Sequence, residues 1–132
     1  MQKSKLLSEL EKAKKLPAVI VEGKKDKIAL EKLGFKNVIC LHRNGHSMYE
    51  VIEKINCKEC AILTDFDRKG KYYYRILRKE FSKKGIKVVN SLRRILSREN
   101  ITHIEGLPTF LRTKYKKLFF PHTALVFSTI CA

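Results

Sequence analysis

The sequence predicts an α/β domain built on a central parallel sheet of about four strands, in the order 2-1-3-4, flanked by helices. Short apolar, β-branched runs alternate along the chain with stretches of helical periodicity. The runs are continuously apolar rather than alternating, as in strands covered on both faces. Two of them end abruptly in acids followed by a glycine, Glu22-Gly23 and Asp65-Phe66-Asp67-Arg68-Lys69-Gly70. Strand, turn and helix repeated in this way imply parallel strands joined by right-handed crossovers.

Residues 4–16 place Leu6, Leu7, Leu10 and Ala13 on one helical face, and Pro17 ends that helix. Residues 18–21 read as the first strand. Ile28, Ala29 and Leu33 mark a helix over residues 26–33 that stops at Gly34, a residue suited to the left-handed turn after a helix. Residues 38–41 form the second strand. Ser47 and Glu50 have the spacing of a capping box for a helix through Ile55. Residues 60–64 form the third strand, and a helix over residues 71–84 buries Tyr73, Ile76, Leu77 and Phe81. A fourth strand spans residues 86–89, followed by helical segments at 91–98 and 107–117. The chain divides into an N-terminal helix (1–16), the α/β domain (17–112) and a basic, then apolar, tail (113–132). That tail is expected to pack on the core or on a second copy, making a homodimer, in preference to anchoring in a membrane.

The 132 residues carry 29 Lys and Arg against 13 Asp and Glu, a formal net charge of +16. With 44% hydrophobic residues the chain has the composition of a folded domain and not of a disordered basic tail. The charge favours a polyanionic partner: nucleic acid, an anionic membrane surface, or a ribosomal assembly with its protein partners. No apolar run reaches the roughly 20 residues of a membrane span, and no apolar leader opens the sequence, so a cytoplasmic protein is expected. Cys40, Cys57, Cys60 and Cys131 lack the spacing of a disulfide scaffold and read as reduced thiols. Cys57 and Cys60 form a CxxC with no second ligand pair, leaving a zinc site dependent on Cys40 and His42.

Glu22 closes the first strand, and Asp65 and Asp67 close the third. In the order 2-1-3-4 these ends flank the crevice where open α/β sheets bind ligands. In extended backbone, residues two apart point the same way, so Asp65 and Asp67 share a direction and Phe66 turns to the core. Crowded carboxylates are tolerated when a hard divalent cation, Mg²⁺ or Mn²⁺, neutralises them. Lys24, Lys25, Arg68, Lys69 and Lys71 bracket the acids, and Arg93 and Arg94 follow strand four at the same edge. Gly23 and Gly70 would let backbone N–H groups approach an anion. Acids for metal and cations for phosphate together indicate phosphodiester chemistry. The loop bearing Arg43 and Asn44 leaves strand two beside the acids, a further candidate substrate contact or a plain turn. Tyr72, Tyr74, Arg75, Arg78 and Lys79 offer stacking and basic groups on the following helix.

The segments Val21-Glu22-Gly23-Lys24-Lys25-Asp26 and Leu63-Thr64-Asp65-Phe66-Asp67-Arg68-Lys69-Gly70-Lys71 resemble the two signature motifs of the Toprim domain, over residues 17–111. The resemblance implies a Rossmann-like fold and nucleic-acid chemistry. Within the superfamily the chain is most similar to the short stand-alone proteins related to the nuclease that matures 5S ribosomal RNA. By motif match, Glu22, Asp65 and Asp67 would be the catalytic residues, Glu22 as the general acid/base and Asp65 and Asp67 holding Mg²⁺, with Glu22 and Asp26, a supporting acid, as further expected metal ligands. Lys69 stands where many topoisomerases carry a third acid, and these residues leave no room for a tyrosine-bearing cleavage domain, so topoisomerase activity is not expected of this chain alone. Glu105, before Gly106, resembles a later acidic motif, although a helix-dipole contact explains it equally. The expected function is Mg²⁺-dependent phosphodiester chemistry, RNA cleavage or processing above all, with RNA favoured over DNA. The alternative is a non-catalytic nucleic-acid-binding module whose acidic site takes Mg²⁺ or a nucleotide.

Overall fold

The computed structural model describes residues 2–115. The tail's apolar stretch, its expected dimer contact and Cys131 lie outside the described residues. Four parallel strands, β1 (Val19–Val21), β2 (Val38–Cys40), β3 (Glu59–Ile62) and β4 (Lys87–Val88), lie in the order β2-β1-β3-β4. The register pairs Val21 with Cys40, Ile20 with Ile62, and Cys60 with Val88. The expected order therefore holds, and the direction of winding, not that of the strands, reverses between β1 and β3.

The helices α1 (Gln2–Lys14), α2 (Lys24–Lys32), α3 (Met48–Lys54), α4 (Arg68–Lys83), α5 (Ser91–Leu96) and α6 (Leu107–Lys114) divide between the two faces of this sheet. Val19, Val21, Ala61 and Leu63 turn to one face, where Leu6 and Leu10 of α1, Leu30 of α2, Leu96 of α5 and Leu111 of α6 cover them. Ile20, Cys60 and Ile62 turn to the other, against Val51 and Ile52 of α3 and Leu77 and Phe81 of α4. This alternation between two hydrophobic layers explains the continuously apolar strands.

Helix boundaries follow their capping groups. Ser47 and Glu50 form the expected box, with Glu50 N–H to Ser47 Oγ at 3.1 Å and Ser47 N–H to Glu50 Oε1 at 2.7 Å. α4 begins at Arg68, earlier than its apolar stripe indicates, because Asp67 caps it by accepting the Gly70 N–H at 2.7 Å. α2 begins at Lys24 for a related reason, since Asp26 in its first turn accepts the Gly23 N–H at 3.1 Å. Lys84 Nζ donates to the carbonyls of Ile52, Glu53 and Ile55, closing the C-terminal end of α3. Part of the large positive charge is thus internal architecture. No helix among the described residues is long and apolar enough to cross a membrane.

Candidate metal and nucleic-acid site

Sheet pairing brings the two acidic motifs together. Leu63 N–H donates to the Ile20 carbonyl at 2.7 Å, carrying β3 past the end of β1. Two residues further, the Asp65 N–H reaches the Glu22 side chain, donating to Oε2 at 2.8 Å. On the other side His42 N–H donates to the Glu22 carbonyl at 2.9 Å, so the loop leaving β2 runs beside the same acid. Glu22 thus sits where the winding of the parallel sheet reverses, between the two loops.

Asp65 and Asp67 are fixed by backbone donors. Asp65 Oδ1 accepts the Ile104 N–H at 2.8 Å, and Asp67 Oδ1 accepts the Gly70 N–H at 2.7 Å. A 3-10 turn over Ile104–Gly106 leads into α6 and delivers a residue that sequence reasoning missed, His103. Its Nε2 lies 3.4 Å from Asp67 Oδ2, and one ligand atom from each of Asp65, Asp67 and His103 falls within 4.8 Å of the others. Its position, 36 residues beyond Asp67, follows no ligand spacing. The available signal was the segment His103-Ile104-Glu105-Gly106, which had been read for its acid alone.

Asp26 and Glu105 form an outer acidic ring. Asp26 is 8% exposed, and burial, reinforced by the Asp65 carboxylate, pushes its carboxyl up to about 6. Burial raises Glu22 and Asp65 as well, and in each the neighbouring acids act in the same direction. Glu105 is exposed and adds repulsion at both Asp26 and Asp65. Mutually repelling carboxylates with rigid backbone supports are a donor set that a divalent cation relieves, and carboxylates plus one imidazole fit such a cation.

Lys24, Lys25, Arg68, Lys69, Lys71 and Arg94 are all exposed, as are Arg43 and Asn44. Between α2 and the end of β2 runs a groove of about 600 Å³, lined by Lys24, Lys27, His42, Arg43 and Asn44 above Ile39 and Cys40. His42 packs edge-on to Tyr73 at 4.8 Å between ring centroids, and Lys69 lies over the Tyr73 ring at 5.9 Å. These contacts join the β2 loop to α4 near the acids.

Two expectations are corrected. Arg93 does not face outward. It is 8% exposed, donates to the carbonyls of Thr64 at 2.6 Å, Asp65 at 3.3 Å and Ile62 at 3.4 Å, and lies between the rings of Phe66 (4.6 Å) and Tyr74 (4.5 Å). A planar, multidentate cation is suited to crossing several carbonyls at a strand end, and here it supports the loop from beneath. Tyr74 is consequently occupied with Arg93 and Arg78, whereas Tyr72 is exposed. The Gly23 and Gly70 N–H groups, read as anion donors, are instead taken by Asp26 and Asp67. Gly70 is needed for space, because a Cβ there would lie 2.0 Å from the Asp65 carbonyl oxygen.

Cys60 is buried, which pushes its thiol up to about 12, and Cys40 and Cys57 are free thiols raised by the same cause. Among the described residues no cysteine joins a metal-sized cluster.

Residues 17–90 match the family model described as the Toprim domain. A UPF0292 protein of Methanocaldococcus jannaschii is 34% identical over 106 residues, covering 76% of this chain and 80% of that relative. A second UPF0292 protein, from Methanosarcina acetivorans, is 36% identical over 113 residues, covering 80% of this chain and 77% of its own length. A solved structure of a protein from Aquifex aeolicus superposes with a TM-score of 0.67 at 33% identity, covering 78% of this chain and 95% of that one.

Proposed function

This chain belongs to the Toprim domain family, and from that premise we propose that it cleaves phosphodiester bonds in structured RNA with the help of Mg²⁺ or Mn²⁺. One observation carries the reading: the Asp65 N–H bonded to Glu22 Oε2 at 2.8 Å makes the two acidic motifs a single site. Family membership supports metal-dependent chemistry on nucleic acid, and the exposed cations around the acids support a phosphate-bearing substrate.

Asp65 and Asp67 are the residues that would hold the cation, each oriented by a backbone donor to its Oδ1. A bound divalent cation supplies charge neutralisation at the phosphate and a more acidic water. Glu22 exchanges the proton. Its Oε2 is held by the Asp65 amide, which leaves Oε1 to take a proton from the attacking water as the new P–O bond forms. The bond to the leaving oxygen then breaks, that oxygen takes a proton from solvent, and Glu22 releases its own to solvent. Burial raises the Glu22 carboxyl above its ordinary value, a direction that makes its ionised form the better proton acceptor. Lys24, Lys25, Arg68, Lys69, Lys71, Arg94 and the groove past Arg43 and Asn44 hold the backbone of the nucleic acid. RNA is favoured over DNA through the likeness of the motifs to those of the 5S ribosomal RNA maturation nucleases.

The test is cleavage of labelled structured RNAs by the full chain with Mg²⁺, with Mn²⁺ and with EDTA, beside Asp67→Asn. An amide nitrogen in place of a carboxylate oxygen puts a donor where a cation needs an acceptor, so cleavage should require the metal and disappear in the variant. Binding should persist and weaken steeply with salt. Salt-sensitive binding by the parent with no metal-dependent cleavage would replace this reading with the non-catalytic binding module.

A further inference from the structure

We propose that His103 joins Asp65 and Asp67 as a nitrogen ligand and makes this a site that ranks first-row transition cations, Mn²⁺ and Co²⁺, above Mg²⁺. The proposal rests on the metal-dependent reading above and adds the identity of the third ligand and of the preferred cation.

The backbone on both sides of His103 is tied to the core. The residue before it accepts the Phe66 N–H at the Thr102 carbonyl, at 2.8 Å. The residue after it donates the Ile104 N–H to Asp65 Oδ1, also at 2.8 Å. Ile101 and Ile104 are both buried in the layer that contains Leu63. The backbone around His103 is therefore sewn to the same loop that carries the aspartates, and the side chain between these anchors points at Asp67. The 3.4 Å from Nε2 to Asp67 Oδ2 is near the separation of neighbouring ligands on one cation, about 3 Å for bonds of about 2.1 Å. A simple ion pair is a poor alternative reason for this construction. The two side chains are 52% and 39% exposed, and such pairs contribute little to stability.

Chemistry then sets the preference. Mg²⁺ takes oxygen ligands and keeps much of its water, so an imidazole gives it little. Nitrogen donors raise affinity for first-row transition cations, in the order Mn²⁺ below Co²⁺. One imidazole beside two carboxylates gives a mixed site in which removing the nitrogen affects the two kinds of cation differently.

The experiment is calorimetric titration of the full metal-free chain with Co²⁺, Mn²⁺ and Mg²⁺ in turn, for the parent, His103→Gln and His103→Asp. Thermal melting provides the check on folding. Pulsed electron paramagnetic resonance of bound Mn²⁺ then reports any nitrogen directly bonded to it. The parent should prefer Co²⁺ and Mn²⁺, with a ¹⁴N coupling on Mn²⁺. His103→Gln should lose that coupling and at least about tenfold in Co²⁺ affinity while Mg²⁺ affinity changes less than about threefold. His103→Asp, an all-oxygen set, should shift the preference toward Mg²⁺. A parent that binds metal through Asp67 but shows no nitrogen coupling, or a His103→Gln variant that loses affinity for all three cations equally, would overturn the ligand assignment and leave the metal-dependent reading standing. A folded parent that binds none of the three would overturn both.

Discussion

The two acidic loops stand side by side where the winding of the parallel sheet reverses, yet they are built differently. The loop after β1 is open at its glycine: a Cβ on Gly23 would meet nothing within 4 Å, and the Gly23 N–H is bonded to Asp26 in the next turn. The loop after β3 is held at more points. Arg93 crosses its carbonyls from beneath, Thr64 Oγ1 donates to the Gly70 carbonyl at 2.7 Å, and Ile104 holds Asp65. A Cβ on Gly70 would meet the Asp65 carbonyl at 2.0 Å. Ligands to a cation need fixed positions, whereas a group that exchanges a proton needs only reach and a hydrogen-bonded orientation. The difference in rigidity therefore parallels the different roles proposed for Asp65 and Asp67 on one side and Glu22 on the other.

Substituting the two glycines is the strongest way to break this comparison. Gly70→Ala should cost at least about 3 kcal/mol, because the clash is with backbone that cannot rotate away. Denaturant unfolding measures it, and a loss under 1 kcal/mol, or the gain of up to about 1 kcal/mol that Gly→Ala gives at an unhindered helical position, would show the loop to be looser than described. Arg93→Lys should come next, at about 2–3 kcal/mol, since one ammonium cannot reproduce the forked bonds or stack between Phe66 and Tyr74.

Asp26 gives a smaller, pH-dependent effect of the opposite sign. Its folded-state carboxyl, at about 6, lies above its ordinary 3.8, so folding favours the protonated form. Its contribution is fully present below about 3.8, is lost as pH rises through the window to about 6, and leaves a penalty above it. In metal-free protein Asp26→Asn, which keeps an oxygen acceptor for the Gly23 N–H, should be about 1–2 kcal/mol more stable than the parent at pH 7. The gain should vanish toward pH 4, as urea titrations at both values would show. Gly23→Ala completes the series, with a change within about 0.5 kcal/mol.

Much of this arrangement is legible in the chain itself. The β-branched runs set the strands, and the expected order 2-1-3-4 puts the ends bearing Glu22 and Asp65 on either side of the crevice between β1 and β3. The helix starts at Arg68 and Lys24 were missed because a carboxylate cap leaves no apolar periodicity to read. Arg93 was misplaced for a physical reason: charge predicts exposure, and the guanidinium's burial depends on three carbonyls and two rings contributed by other elements. The segment holding His103 is legible, but the histidine's place beside Asp67 is not, because it comes from Ile104 bonding Asp65, a tertiary contact without sequence spacing. Local signals carry local structure, and what crosses between elements needs the fold.

The central claim is that Glu22 and the two aspartates act as one catalytic site. Its most direct test is single-turnover cleavage of a bound RNA by Glu22→Gln beside the parent, at saturating Mn²⁺ or Mg²⁺. Glutamine keeps an oxygen to accept the Asp65 N–H but cannot take a proton, so the rate should fall by about 100-fold or more with RNA and metal binding nearly unchanged. Cleavage by Glu22→Gln at the parent's rate would contradict the account.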